Sequence, residues 1–192
     1  MIGRRLALLS LLAGAVACAA TGRSIAPVGQ HTVDAAAASR SLLAEYQVYG
    51  AVLADFGHTV RVSKRTQDAL FCNPSPTPCV DTTPEAFVDA MLEYAAKNAS
   101  PVVLSPTPKP STPVEPWKAP AGADTTCWPI PTVTLSRVGL GPDRTTAVVS
   151  YDMTVGPGPY PGCGYSAGAL LLLRKDSDGS WHIVDRIARW IT

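Results

Sequence analysis

The sequence predicts an α+β domain in which two N-terminal helices pack on a C-terminal antiparallel sheet of about four strands. Three observations carry this expectation. Apolar residues recur at helical spacing over 38–57 and again over 83–98, period-two apolar runs fill the last third, and a proline-rich stretch divides the two regimes.

Residues 1–17 read as an export signal. Arg4 and Arg5 make a short positive start, Leu6 to Val16 form an uncharged apolar run, and the run ends in small residues. It falls short of the roughly 20 apolar residues that a membrane span needs. At its end, Ala15-Val16-Ala17-Cys18 resembles a bacterial lipobox, whose cysteine receives the lipid and becomes the first residue of the mature chain. Ala15 stands where such motifs usually carry Leu, and Ala15-Val16-Ala17 also satisfies ordinary signal cleavage. The resemblance implies lipidation at Cys18 and attachment to the membrane through that lipid. Ala19, where an Asp would favour inner-membrane retention, implies the outer membrane or periplasm. Residues 18–37, small and polar with Gly22, Pro27 and Gly29, read as a flexible tether, which leaves 38–192 as one domain.

In "AAAASRSLLAEYQVYGAVLADFG" the residues Leu42, Tyr46, Tyr49, Leu53 and Phe56 fall on one helical stripe, and Gly57 closes the helix. Glu45 within it has two readings: an acid in a cleft between helix and sheet, or a helix-surface charge partnered by Arg137 or Arg186. A second helix follows in "TTPEAFVDAMLEYAAKN". Thr83 is a good N-cap, Pro84 suits a first turn, Glu85 complements the dipole, and Phe87, Ala90, Met91 and Tyr94 line one face. Asn98-Ala99-Ser100 matches a glycosylation sequon by chance, because the signal is bacterial in kind.

Residues 101–126 hold seven prolines in their first twenty positions, a composition that resists helix and sheet alike. They read as a semi-rigid connector packed over the domain and anchored by Trp117, in preference to a free ligand for a proline-binding groove. Beyond it, "TVTLSRVGL" and "TTAVVSYDMTV" flank a turn at Gly141-Pro142-Asp143, and "ALLLLRKD" and "WHIVDRIARWI" flank one at Ser177-Asp178-Gly179. Four strands in a meander result, with Trp181, Ile183 and Ile187 on the face that meets both helices.

The charges, 16 Lys and Arg against 15 Asp and Glu, nearly cancel and are scattered, so nucleic acid is not an expected partner. Cys72, Cys79, Cys127 and Cys163 are an even set in an exported chain and predict two disulfides, with three possible pairings. Cys72–Cys79 is favoured because "CNPSPTPC" is a turn whose ends approach; Cys127–Cys163 would then tie the lead-in of the sheet to a loop within it. A four-thiolate zinc site lacks the usual short spacers, so neither metal nor cofactor is expected.

One motif invites a catalytic reading. Gly164-Tyr165-Ser166-Ala167-Gly168 has the G-x-S-x-G form of a serine hydrolase, and Asp176, Asp178 and His182 follow in the appropriate order. A nucleophile elbow, however, needs a buried strand before the serine and a helix directly after it. Here "VGPGPYPGCG" precedes Ser166 and a strand follows, so the glycines read as loop formers around Cys163. His182, beside Trp181 on a hairpin strand, reads as a solvent-facing residue, and Arg186 and Arg189 with Asp185 as a solvated strand face.

Taken together, Glu45-Tyr46-x-Val48-Tyr49, Leu135-Ser136-Arg137-Val138-Gly139, Asp143-x-Thr145, Gly162-Cys163-Gly164, the Leu-Leu before an Asp-Gly turn, Trp181 and Trp190-Ile191-Thr192 resemble a group of uncharacterised bacterial exported proteins. Thr192 replaces their usual Ser, and Leu140 stands where Phe is expected. The resemblance covers about half the chain and implies export and fold, with no activity attached. The functional expectation is therefore an exported, lipid-anchored envelope protein that binds or supports and does not catalyse, with an envelope protein as a possible partner. Two alternatives stand beside it: a small hydrolase using Ser166 and His182, and a periplasmic inhibitor or immunity-like protein that makes contact through the proline-rich connector or through "GPGPYPG".

Overall fold

A computed structural model describes residues 28–67, 83–122, 129–156 and 164–191. Residues 1–17, read as an export signal, and Cys18, Cys72, Cys79, Cys127, Cys163 and most of the "GPGPYPG" loop lie outside these residues, and with them the export, lipidation and disulfide expectations.

The fold is α+β, with two helices and a mixed six-stranded sheet. Helix α1 spans Val28–Asp55, β1 Arg61–Val62, α2 Val88–Lys97, β2 Thr132–Leu135, β3 Gly139–Leu140, β4 Thr146–Val155, β5 Tyr165–Lys175 and β6 Trp181–Ile191. The sheet runs β1-β2-β4-β5-β6, and β3 pairs with β4. The two hairpins sit where the turn signals put them. At the first, Asp143 accepts from the Thr145 amide and hydroxyl and Arg144 takes a positive φ. At the second, the Gly179 amide donates to Asp176, and Gly179 carries the left-handed φ of 90° that suits glycine.

The helices do not share a face of the sheet, as the sequence pattern suggested; one lies on each side. Val48, Tyr49, Val52 and Leu53 of α1 pack with Ala147, Val149, Leu171 and Leu173, whereas Phe87, Ala90, Met91 and Tyr94 pack with Val148, Leu170 and Leu172. Side chains alternate across a strand, so the unbroken run Leu170 to Leu173 serves both layers at once. Such a run marks a central strand buried on both faces.

β6 divides its allegiance in the same way. Ile183 pairs with Leu173 but Asp185 pairs with Leu172, which leaves Val184 as an extra residue, and this bulge reverses the facing of Asp185 to Ile187 relative to the alternation before it. Ile183 therefore belongs to the α1 layer and Ile187 to the α2 layer, although odd-number parity had put them together.

The predicted strand over 132–140 is also broken. Leu135 pairs with Tyr151 and Gly139 with Val148, a register change of one residue that makes a bulge of Ser136-Arg137-Val138. Val133 and Leu135 before the bulge, and Val138 and Leu140 after it, all reach the α1 layer. The apolar parity switches from odd to even, as a bulge requires.

Two further differences concern α1. Residues 28–37, read as the end of the tether, are helical, in keeping with the high helix propensity of Ala35 to Ala38. Its buried stripe is Ala44, Glu45, Val48, Tyr49, Val52 and Leu53, so Leu42 is left 47% exposed and Glu45 is interior. In α2 the expected face is the observed one, after a first 3-10 turn over Glu85–Phe87.

Gly139 lies where α2 crosses the sheet. A methyl group there would collide with the Ala90 carbonyl and the Tyr94 amide, both of them backbone groups that cannot swing aside. Gly139→Ala is expected to cost about 3 kcal/mol of stability, at the upper end of overpacking penalties; urea unfolding checks it, and a change below about 0.5 kcal/mol would mean that α2 sits less tightly than described.

Candidate functional site

The hydrolase constellation does not assemble. Ser166 is the second residue of β5, paired with Thr154 of β4, and no helix begins after it. His182 pairs with Arg174, eight residues further along β5, which separates the two by about 26 Å at about 3.3 Å per strand residue. The imidazole is engaged elsewhere: its Nε2 donates to Asp176 at 2.9 Å across the turn, and both side chains are more than half exposed. The glycines of the motif serve the backbone. Gly164 has a φ of 73°, and a Cβ on it would strike the Val155 carbonyl; Gly168 sits at the second bulge of β6. Among the described residues no group of three or more His, Cys, Asp and Glu converges as a metal site would.

The interior does hold a polar cluster, built around the β2–β3 bulge. Glu45 is 1% exposed, so its carboxylate must be neutralised locally. Arg137 does this with a two-pronged bond, Nε to Oε2 and Nη2 to Oε1, each 2.8 Å. Lys97, the last residue of α2, donates to Glu45 Oε1 at 2.9 Å and to the Val138 carbonyl at 3.1 Å. Burial pushes the Glu45 carboxyl up, but the hydrogen bonds and charges of Arg137 and Lys97 outweigh it, so its pKa lies below the ordinary 4.5. Of the two readings of Glu45, partnership with Arg137 is the one observed, in the interior and not on the helix surface.

The bulge backbone is satisfied in turn. Asn98 accepts from the Arg137 amide at 2.6 Å and donates to the Arg137 carbonyl at 2.9 Å. Tyr49 donates to the Ser136 carbonyl at 2.9 Å; burial pushes its phenol far up, so it remains a donor. Ser136 Oγ accepts from the Ser150 amide, and Ser150 Oγ in turn meets the Tyr94 hydroxyl and Gln67 Nε2, each at 2.8 Å. Glu45, Arg137, Asn98, Tyr49 and Ser136 are thus engaged with one another or with the bulge backbone, while Gln67 Oε1 is buried without a partner among the described residues. Asn98, 1% exposed, is also inaccessible as a sequon.

A concave feature lies further along α1. The proline-rich segment folds back over the C-terminal end of α1 and over β1, held by backbone bonds from Ser111 to Gly50 at 2.9 Å, Thr59 to Glu115 at 2.7 Å and Leu104 to Lys64 at 2.7 Å. Tyr46 donates to the Pro106 carbonyl at 2.5 Å, and Leu104 is buried in the α1 core. Between segment and domain is a cavity of about 280 Å³, with Leu53, Val60, Val62, Pro108 and Val114 among its walls. His58 lines it too. Its ring meets Trp117 at 4.7 Å and Phe56 at 6.4 Å, and its Nε2 is buried without a hydrogen-bond partner among the described residues.

Sequence reasoning passed over His58. Gly57-His58-Thr59 follows a helix stop with no motif around it, and only the folding back of Trp117, 59 residues later, gives the ring its setting. Comparison with known proteins finds no match: no protein family, no curated protein and no solved structure is significantly similar to the chain.

Glu45→Gln removes the charge that Arg137 and Lys97 neutralise and is expected to cost about 3 kcal/mol at pH 7, the low end for breaking a buried pair, since both cations retain some exposure. The sign of the pH dependence follows from a folded-state pKa below 4.5: the contribution is complete above that value and is lost as pH falls through the depressed folded value. Urea unfolding of both proteins from pH 7 to pH 3 should show a constant gap that narrows only below about pH 4.5; a gap independent of pH contradicts it.

Proposed function

We propose that the chain is an exported, lipid-anchored envelope protein that acts by binding, the cavity beneath the proline-rich segment being its binding surface. The observation that carries this reading is the division of labour among polar groups. Glu45, Arg137, Lys97, Asn98, Tyr49 and Ser150 are engaged with one another or with the bulge backbone, while the mostly apolar cavity with His58 in its wall makes no such structural demand. Cavities of this kind, apolar with a few placed polar groups, are the usual form of small-ligand sites. The anchor rests on the lipobox-like Ala15-Val16-Ala17-Cys18 and on the short apolar run before it.

Serine hydrolysis has little support, given the separation of Ser166 from His182 and the extended backbone at Ser166. For the inhibitor reading, the proline-rich segment is a fixed surface and not a free arm, packed on the domain with Pro110, Pro113 and Pro116 exposed.

Intact mass of the protein taken from its native membrane tests the reading. The expected species is Cys18 to Thr192 plus diacylglycerol and an acyl chain, gaining about four hydrogens on reduction of two disulfides. An unlipidated mass overturns the anchor, and ester turnover that disappears in Ser166→Ala overturns the non-catalytic reading.

A further inference from the structure

We propose that the outward edge of the proline-rich segment, Pro113 and Pro116 with Glu115 and Lys118 beside them, is a docking surface for a partner domain whose groove is lined by aromatic side chains. This surface is separate from the cavity beneath the segment, and neither depends on the other.

The backbone prepares it. After a bend at Ser111 and Thr112, the chain runs from Pro113 to Pro120 without a further turn. Pro113, Pro116 and Pro120 fix their own φ, and Glu115 and Ala119, each before a proline, are steered into extended backbone. A proline-rich extended chain repeats every three residues, so every third side chain shares a side. Val114 and Trp117 form the inner row: Val114 lines the cavity, and the Trp117 ring lies 4.7 Å from that of His58. Pro113 with Pro116, and Glu115 with Lys118, form the other two rows, and all four residues are exposed. The segment is fastened from below, where the Thr59 amide donates to the Glu115 carbonyl at 2.7 Å and the Glu115 amide to the Gly57 carbonyl at 3.2 Å. It is a connector on one side and a presented edge on the other.

The chemistry of that edge names its partner. A proline ring offers apolar surface and no N–H, so the best match is a flat apolar side chain that can itself donate, as Tyr and Trp do. Glu115 and Lys118 have no ion-pair partner among the described residues. A cationic group opposite Glu115 and a carboxylate opposite Lys118 therefore complete the complement and set the direction in which the segment lies in the groove. Because the segment is extended and seated in advance, docking orders little that is not already ordered.

The probe is a purified SH3 domain, a module that docks proline-x-x-proline segments in an aromatic-lined groove, chosen from a panel by its binding to a synthetic peptide of residues 110–120. The purified full chain should bind it about fivefold more tightly than the peptide does, since the segment is fixed beforehand. Saturable amide shifts should centre on Val114, Glu115 and Lys118, while Gly57 and Thr59, which hold Glu115, keep their positions. Pro113→Ala and Pro116→Ala should each weaken binding about tenfold, and Lys118→Glu about threefold. Pro142→Ala, at an exposed proline in the β3–β4 turn, should leave it unchanged. A full chain that fails to bind a domain which binds the peptide overturns the proposal, as does binding indifferent to Pro113, Pro116 and Lys118. Loss of the Gly57 and Thr59 positions overturns it too, because the segment would then have to leave the domain to be read, and so does a panel in which no domain binds the peptide.

Discussion

A carboxylate buried at the middle of a helix is a constraint that the rest of the chain must meet, and Glu45 imposes it here. An isolated charge in such a setting is prohibitively costly, so folding proceeds only if cations arrive with it. Arg137 comes from an interruption in a β-strand and Lys97 from the end of the second helix. The two helices lie on opposite faces of the sheet, and the interruption is the place where both reach the same atoms. The bulge is thus the joint of the molecule: Tyr49 secures its Ser136 carbonyl from α1, and Asn98 secures its Arg137 amide and carbonyl from α2.

Bulges also explain how a short sequence covers both sides of a sheet. The shift at Arg137-Val138 keeps Val138 and Leu140 beneath α1, while that at Val184 sends Ile183 and Ile187 to different layers. Each changes facing without changing composition, which is why a simple alternation count misassigns the residues beyond it. α1 then serves two ends: Glu45 and Tyr49 engage the joint, and one turn and more beyond them Leu53 forms part of the cavity wall under the proline-rich segment.

Much of the fold was legible in the sequence, for identifiable reasons. Both turn signals and the α2 face rest on local chemistry, glycine conformation, side-chain capping of turns and helical spacing, and these are where they were expected. The interlocking of Glu45 and Tyr49 with Ser136 and Arg137 joins segments some 90 residues apart, and no local pattern announces it. The placement of the helices on two faces was legible only in the Leu170 to Leu173 run. β1, two residues long, carries no periodicity at all, and the His58 cavity depends on a contact across 59 residues that no local pattern announces.

The claim that the bulge couples the two helices is tested most directly by a double-mutant cycle on Tyr49→Phe and Asn98→Ala, residues that bind neighbouring bulge groups without a hydrogen bond between them. If the bulge is the joint, urea unfolding of the two single variants and the double variant should give a coupling of about 0.5–1 kcal/mol, because the first loss frees the backbone that the second would have held. Strict additivity, with coupling below about 0.3 kcal/mol, would show that each helix holds the sheet on its own and would contradict the account.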